Sequence, residues 1–282
     1  MLKQRVITAV VLLALLLPAL FAVSPWPFMV LTVVLIAAGA WEWGRLNDVG
    51  SLRSWLGALW CALACILAQQ VGWVRDTPPV LWLLAGAMWV LLGAWMIQRG
   101  VSGWALWPRT LRWMTGLLLL ALAWLALAQA LQKGVNFLLS VLVLVWAADV
   151  FAYFFGRSFG GRFFSIKLAP SISPGKSWEG VLGGMVGVFL VAFAWVAFDQ
   201  NRASDIPSFF TLIMEKGWWV TVPALLFMSA MSVVGDLVES LVKRSAGMKD
   251  SSGLLPGHGG VLDRVDALLP TLPLAMMLVV WI

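Results

Sequence analysis

Residues 113–131 read WMTGLLLLALAWLALAQAL, an apolar stretch without an ionised side chain. At about 1.5 Å per residue, a helix of this length crosses most of the roughly 30 Å hydrocarbon core of a bilayer. Comparable apolar runs occur along the whole chain, at about 6–24, 26–43, 55–73, 79–97, 136–155, 180–198, 218–238 and 267–282. The sequence therefore predicts an all-α, polytopic integral membrane helix bundle with about nine transmembrane helices.

The composition agrees with a membrane protein that has short loops. Of 282 residues, 62% are hydrophobic and 11% are charged, and the mean hydropathy is +0.94. Nine spans with a cytoplasmic N-terminus put fifteen of the nineteen Lys and Arg residues on the cytoplasmic side, in accord with the positive-inside rule. The four that remain outside are Arg75, Lys133, Arg202 and Lys216. The pI of about 9.8 therefore reflects topology, and we expect the lipid bilayer rather than nucleic acid as a partner.

Polar residues concentrate in the second half of the chain. We interpret residues 1–135 as N-terminal transmembrane scaffold helices and residues 136–282 as a C-terminal transmembrane catalytic region, within a single membrane domain. Ionisable side chains at membrane depth are costly, so their presence indicates a functional site. Three polar clusters meet this description.

The first cluster lies near the end of the sixth predicted span. Asp149 and Tyr153 are four residues apart, which places both side chains on one face of a helix. Asp149 either forms a structural ion pair with a neighbouring Lys or Arg, or helps to bind a cation.

The second cluster, residues 170–180, reads PSISPGKSWEG and leads into the seventh span. Its Gly-Lys-Ser resembles the end of a P-loop, but Pro170 replaces the first glycine and no buried strand precedes it. A Pro/Gly turn that presents Lys176 at a helix N-terminus favours an anion. The alternative is a basic turn that only marks the cytosolic face.

The third cluster begins with Gly235 and Asp236 and includes the segment 240–266, which we call the signature segment and which reads SLVKRSAGMKDSSGLLPGHGGVLDRVD. This segment follows Asp236 in the eighth span and ends with Asp263 and Asp266. The last apolar run is short for a span, so we expect its helix to start earlier and to place these two carboxylates opposite Asp236.

Converging carboxylates repel one another unless cations neutralise them. Hard oxygen ligands with open positions suit Mg²⁺ bound together with substrate phosphates. Lysines alone could also neutralise the carboxylates, but we favour metal plus phosphate.

The signature segment resembles that of the phosphatidate cytidylyltransferases, also called CDP-diacylglycerol synthases. The shared pattern is Ser-x2-Lys-Arg-x4-Lys-Asp-x-Ser-x2-Leu-Pro-x-His-Gly-Gly-x2-Asp-Arg-x-Asp. The chain departs from many members at Gly175, where they carry Lys, and at Ser177, where they carry Thr. The resemblance covers roughly the C-terminal half and extends upstream through Gly235, Asp236, Glu239, residues 173–180 and residues 149–156.

This resemblance implies that CTP and phosphatidate give CDP-diacylglycerol and pyrophosphate on the cytoplasmic face, with Mg²⁺ and with K⁺ as an optional second cation. Phosphatidate is a phosphomonoester with a second pKa of about 6, so it is largely dianionic and needs no general base. We assign catalytic roles to Asp236, Asp263, Lys243, Lys249 and His258. We assign substrate binding to Lys176, Arg244, Arg264, Ser240 and Asp149. We assign the metal to Asp236, Asp263 and Asp266.

Two other functions use the same residues. A transporter could use the carboxylates as a cation site, although its charges would be expected near the membrane midplane. A CTP-dependent enzyme that acts on a polyprenol would need a general base, for which His258 is the candidate. The short chain suggests a bacterial inner (cytoplasmic) membrane, and a homodimer is compatible with this interpretation.

Overall fold

The computed structural model describes residues 2–202 and 206–282, except for the side chains of residues 2, 3 and 202. The side chains of Lys3 and Arg202, used above for orientation, thus lie outside the described part. The helices are α1 (Leu2–Leu20), α2 (Trp26–Leu46), α3 (Ser51–Gln70), α4 (Pro79–Ala105), α5 (Arg109–Lys133), α6 (Val135–Phe159), α7 (Trp178–Arg202), α8 (Phe209–Met214), α9 (Trp218–Ser245), α10 (Leu262–Val265) and α11 (Leu268–Trp281).

Eight helical segments of the described chain are long and apolar enough to cross a membrane, and α1 is a shorter apolar helix beside them. Each of the nine predicted runs therefore corresponds to a helix. The short α10 and α11 together form the last of these segments, Leu262–Trp281. The prediction that the final helix starts before residue 267 is confirmed, with an interruption at Asp266 and Ala267.

Glycine and proline set several helix ends. Pro108 precedes α5, and Gly134, with a φ of 134°, separates α5 from α6. Such a φ favours glycine, which has no Cβ to clash with the backbone. Gly100, with a φ of 68°, interrupts α4 close to its end. The long apolar sequence is thus divided into separate spans by a few local breaks.

Connections that are distant in sequence meet at one end of the bundle, which we call the site end. Arg109 Nη1 pairs with Asp48 Oδ2 at 2.9 Å and joins two of these connections. Arg5 Nε, near the start of α1, donates to the Gly257 carbonyl at 3.0 Å. At the opposite end, Lys216 Nζ donates to the backbone oxygen of Ile282 at 2.8 Å. The start of α1 and the end of the last span thus lie on opposite sides, as an odd number of spans requires.

Much of the outer surface is hydrocarbon. Leu91 of α4 is 71% exposed and Leu52 of α3 is 73% exposed. Apolar side chains that point outward all around a bundle of this kind are covered by lipid chains in a bilayer. Buried ionisable groups such as Glu42, Glu239 and Lys243 are enclosed at the site end, and a second buried polar network surrounds Asp199 near the opposite end.

Candidate active site

A recess opens between α6, α7 and α9 at the site end, and we call it the polar recess. Its empty space, including the open mouth, is about 1120 Å³. Asp149, Tyr153, Arg157, Lys176 and Asp236 lie in its wall. Lys176 Nζ lies 2.5 Å from Asp236 Oδ2. The structure therefore brings together members of all three polar clusters.

The polar recess depends on close packing of α6 against α7. A Cβ added at Gly184 would lie 2.8 Å from the Ala148 carbonyl oxygen, and one at Gly180 would lie 3.0 Å from that of Ala152. Small residues at such a four-residue spacing allow two membrane helices to approach closely. This contact fixes the position of Asp149 on α6 relative to the N-terminus of α7.

The N-terminus of α7 is held by two side chains that flank Trp178. Ser177 Oγ accepts the Gly180 N–H at 3.2 Å, as an N-cap serine does. Glu179 Oε1 accepts the N–H groups of Gly161, Phe163 and Phe164, each at 3.0 Å. These contacts order the connection from α6 and present Lys176 to Asp236. Neither residue needs a substrate to explain its presence.

Three carboxylates lie close enough to interact electrostatically. The charge of Asp149 repels the charges of Asp236 and Asp266, and the charge of Lys176 attracts all three carboxylates. Ser240 Oγ donates to Asp236 Oδ1 at 3.2 Å. Three carboxylates carry more negative charge than Lys176 supplies. The acidic cluster of Asp149, Asp236 and Asp266 is therefore the part of the structure whose charge best suits a hard cation.

Glycine allows the last span to reach this cluster. A Cβ on Gly235 would lie only 2.5 Å from the Asp266 carbonyl oxygen. Asp266 stands at the interruption between α10 and α11, where its Oδ1 accepts the Ala267 N–H at 2.8 Å. The predicted approach of Asp266 to Asp236 thus follows from a small residue on one helix and a break in the other.

Asp263 has a different environment from the other two predicted metal ligands. Its Oδ1 lies 2.6 Å from Lys243 Nζ. Its Oδ2 accepts three hydrogen bonds of 2.8 Å, from Ser251 N–H, Ser251 Oγ and Gly260 N–H. Both oxygens are thus engaged by the protein, and Asp263 holds the signature segment in place. Its prediction as a direct metal ligand stays a prediction.

Lys243 bridges two buried acids. Its Nζ lies 2.6 Å from Glu239 Oε2 as well as 2.6 Å from Asp263 Oδ1. The i,i+4 pairing of Glu239 with Lys243 that helix spacing favours is therefore present. Lys243 does not line the polar recess, so in this conformation it stabilises the signature segment instead of meeting a phosphate.

Glu42 of α2, which the sequence interpretation left in the scaffold half, holds the signature segment directly. It is fully buried. Its Oε1 accepts the Val261 N–H at 2.9 Å and its Oε2 accepts the Leu262 N–H at 2.8 Å. The Ser252 hydroxyl also donates to this carboxylate at 2.5 Å, and the Ser251 hydroxyl, 3.1 Å away, shares its one proton between Glu42 and Asp263. A lone acid within a long apolar run is the signal that could have identified it.

Arg157 is a second residue of the site that the sequence analysis did not assign. It lines the polar recess, and its Nη1 donates to Tyr153 Oη at 2.9 Å. Its spacing of eight residues from Asp149 on the same helix could have indicated a shared face.

The other predicted residues of the signature segment lie outside the lining of the polar recess. His258 stands in a tight turn between Gly257 and Gly259, whose φ values are 77° and 87°. Lys249 is exposed on the segment. Arg244 Nε donates to the Ile172 carbonyl at 3.4 Å, which joins α9 to the turn that carries Lys176.

Arg264 lies outside the lining of the polar recess. One of its N–H groups donates to the His258 carbonyl at 2.7 Å. Among the described carboxylates, none lies within ion-pair distance of its guanidinium. Arg264 therefore has no carboxylate partner among the described residues, and its assignment to substrate binding stays a prediction.

In the described residues, no group of three or more Asp, Glu, His or Cys side chains is arranged to hold a metal ion. A site that takes several ligands from water or substrate phosphate needs fewer protein oxygens, which is the usual manner of Mg²⁺. The donor set of the acidic cluster fits such a shared site.

Comparison with known proteins adds a family to this geometry. The cytidylyltransferase family model matches residues 3–282. The phosphatidate cytidylyltransferase of Pseudomonas aeruginosa is 36% identical over 277 residues, which cover 97% of this chain and 95% of the relative. That of Haemophilus influenzae is 35% identical, with 97% and 96% covered. That of Bacillus subtilis is 39% identical over 142 residues, which cover 50% of this chain and 46% of the relative.

Proposed function

The chain belongs to the cytidylyltransferase family, and we propose that it is an integral membrane enzyme that transfers the cytidylyl group of CTP to phosphatidate. The products are CDP-diacylglycerol and pyrophosphate. Relatives that carry the name phosphatidate cytidylyltransferase match nearly the whole chain. The observation on which the assignment rests is the polar recess, where Lys176 meets the acidic cluster at one end of an apolar bundle.

The chemistry requires charge control more than proton transfer. The phosphate of phosphatidate has a second pKa of about 6, so its dianion attacks the α-phosphorus of CTP without a general base. A new P–O bond forms to the lipid phosphate, and the bond to pyrophosphate breaks. Fixed cations and metal ions stabilise the charge that develops in such a displacement. Lys176 and Arg157 are the cations in the polar recess.

Mg²⁺, when bound, supplies the positive charge that allows a triphosphate to approach carboxylates and a second anion. Asp236 and Asp266, with Asp149 beside them, would hold it, and phosphate oxygens of the substrate would complete its ligands. Asp263 joins this set only if its contacts with Lys243 and Ser251 are released. K⁺ remains an optional second cation.

The proposed location of the site follows from the distribution of Lys and Arg residues. The site end carries most Lys and Arg residues, so the proposal places it at the cytoplasmic face of a bacterial inner membrane, where CTP is available. A homodimer belongs to the same proposal.

The test is transfer of label from α-labelled CTP to a lipid by the purified protein. We expect Mg²⁺-dependent label in an organic-extractable product with phosphatidate, together with an equal amount of pyrophosphate. Label with a polyprenol but not with phosphatidate would replace this function by a related CTP-dependent one. No transfer to either lipid by folded protein would overturn the enzyme assignment and would favour a transporter.

A further inference from the structure

A second concave region, which we call the apolar groove, lies between α1, α2, α5, α6 and the last span. Its empty space, with the open side included, is about 1270 Å³. Arg264 is the one charged residue in its described lining, and Thr32 is the one hydroxyl. The Thr32 hydroxyl is already satisfied, because it donates to the Phe28 carbonyl at 2.9 Å and accepts from Trp124 Nε1 at 3.1 Å. The groove is therefore a hydrocarbon surface with a cation at its site end.

The apolar groove is about as long as an acyl chain in one leaflet of a bilayer. Along α2 its lining runs from Gly39 to Phe28. These eleven steps correspond to about 16 Å at 1.5 Å per residue, which is close to half of the roughly 30 Å hydrocarbon core. Phe28 is the third residue of α2, so the groove extends from the level of Gly39 to the end of the bundle opposite the site end.

One face of α6 connects the apolar groove with the polar recess. Leu139, Leu142 and Trp146 line the groove, and Asp149 and Tyr153 line the recess. Their spacings of three, four, three and four residues place all five side chains on one side of a helix. A molecule that lies along this face has its apolar part on Leu142 and its polar part beside Asp149.

The turn at the start of the last span separates the same two regions. Arg264 stands at the groove, and Asp266, two residues later, interacts with Asp236 in the acidic cluster. Most N–H groups of Arg264 remain free for an anion, since the contact with the His258 carbonyl uses one of them. A guanidinium in this position binds phosphate well.

We propose that the apolar groove binds an acyl chain of the phosphatidate substrate and that Arg264 receives the lipid phosphate at its end. This inference rests on the proposed function and adds the place and direction of the lipid. Within a bilayer a hydrocarbon groove is filled by a lipid chain. The positive charge at its end favours an anionic headgroup, and a phosphomonoester carries the highest charge on a single phosphate.

The experiment fills the groove and compares two chain lengths. Leu139→Trp places a larger side chain in the lining of the groove. The matched control is Leu63→Trp on the outer surface of α3, where Leu63 is exposed. Both variants and the unmodified protein are assayed in mixed micelles with dioleoyl phosphatidate and with dihexanoyl phosphatidate, whose chains are too short to fill the groove.

We expect Leu139→Trp to raise KM for dioleoyl phosphatidate about tenfold, which corresponds to about 1.4 kcal/mol. KM for dihexanoyl phosphatidate and KM for CTP should stay within twofold, and Leu63→Trp should change none of these values. An equal effect on both lipids, or an unchanged KM for the long-chain lipid, would overturn the proposal. Absence of transfer by the unmodified protein to either phosphatidate is a separate result, because it contradicts the function itself.

A cross-linking measurement does not depend on folding of a variant. Phosphatidate with a photoreactive group at the end of one chain should label peptides of α1 and α2 that contain groove residues such as Leu16 and Phe28. Excess unlabelled phosphatidate should remove the label, whereas excess phosphatidylcholine should not. Equal removal by both lipids would mean that the groove holds bulk lipid only and would contradict a substrate site.

Discussion

Glu42 is the residue that joins the two halves of the chain. Its carboxylate receives four hydrogen bonds from the signature segment, two from backbone N–H groups and two from serine hydroxyls. Gly260 is required beside it, since a Cβ there would lie 2.3 Å from Glu42 Oε1 and closer still to Ser251. An acid of the supposed scaffold therefore sets the conformation of the segment that carries Asp263.

Replacing Glu42 by Gln should lower kcat ten- to a hundredfold while the protein still inserts in the membrane. An amide offers one acceptor oxygen instead of two and turns a donor toward other donors, and each buried donor left unsatisfied costs about 1–3 kcal/mol. The assay is kcat together with the thermal midpoint in detergent. Glu215→Gln, at an exposed position near the opposite end, is the control, and normal turnover in Glu42→Gln would contradict the anchoring role.

Replacing Asp263 by Asn should abolish turnover, by at least a hundredfold. Two backbone N–H groups and Ser251 Oγ share one oxygen of Asp263, and Lys243 takes the other. The substitution removes the charge that Lys243 needs and damages the segment, whether or not Asp263 also binds metal.

Binding of Mn²⁺, followed by electron paramagnetic resonance, separates those two roles. Asp236→Asn should lose the bound ion, and the same loss in Asp263→Asn would support Asp263 as a ligand. Retained Mn²⁺ binding with lost turnover would mean that Asp263 only holds the signature segment in place. A fully active Asp263→Asn enzyme would contradict both assignments. The control variant is Asp76→Asn, at an exposed position of the opposite end.

At the scale of elements, the pair α6 and α7 determines the polar recess. The helices touch at Gly180 and Gly184, where an added Cβ would lie only 3.0 Å and 2.8 Å from the carbonyl oxygens of Ala152 and Ala148. No added side chain fits such a contact without separating the helices. The contact between the two helices therefore sets the distance between Asp149 of α6 and Lys176, which lies in the turn before α7.

Gly184→Leu should therefore lower both stability and activity. A Cβ at residue 184 would already lie 2.8 Å from the Ala148 carbonyl oxygen, so the leucine must push α7 away from α6. We expect a clear fall in the thermal midpoint and a loss of activity of at least tenfold. Val186→Leu, at an exposed position of the same helix, should leave both unchanged, and an unaffected Gly184→Leu protein would show that the contact is not tight.

The helices could be predicted from the sequence because the thickness of the hydrocarbon core sets the length of each apolar run. Apolar runs such as 113–131 appear as helices, and the shortness of 267–282 correctly indicated a helix that begins earlier. The sequence placed Lys176 and Asp236 in two separate polar clusters and did not predict that the two side chains meet. Their contact depends on how α7 packs against α6 and α9, which no local pattern specifies.

The partners of single side chains were the least predictable part. Asp263 was expected at a metal, and the structure shows it bound by Lys243, Ser251 and Gly260. Glu42 was not expected at all, because its partners lie more than two hundred residues away. Pairings over such separations follow from tertiary packing and leave no periodic trace in the chain.

For the whole molecule, charge and contacts agree on one functional end. The division at residue 135 into scaffold and catalytic parts stays a prediction, although Arg5, Thr8 and Glu42 all contact the signature segment. One membrane domain that uses both halves describes these contacts best.

Labelling of single cysteines with a membrane-impermeant maleimide should verify the orientation. Lys249→Cys should react only after the cells are opened, whereas Arg75→Cys should react in intact cells, because these exposed residues lie at opposite ends. Cys61 and Cys65 are free but buried, so they contribute little background. Labelling of Lys249→Cys in intact cells would reverse the proposed topology.

The separation of 209 residues between Glu42 and Ser251 has a consequence for biosynthesis. At about 5–20 residues per second, a ribosome needs roughly 10–40 s to make the chain between them. During this time α2 is already synthesised, while the groups that will surround its acid have not yet been translated. Assembly of the site is therefore among the last events of biogenesis, and a nascent chain that stalls before α10 leaves α2 as an unfinished segment open to quality-control proteases.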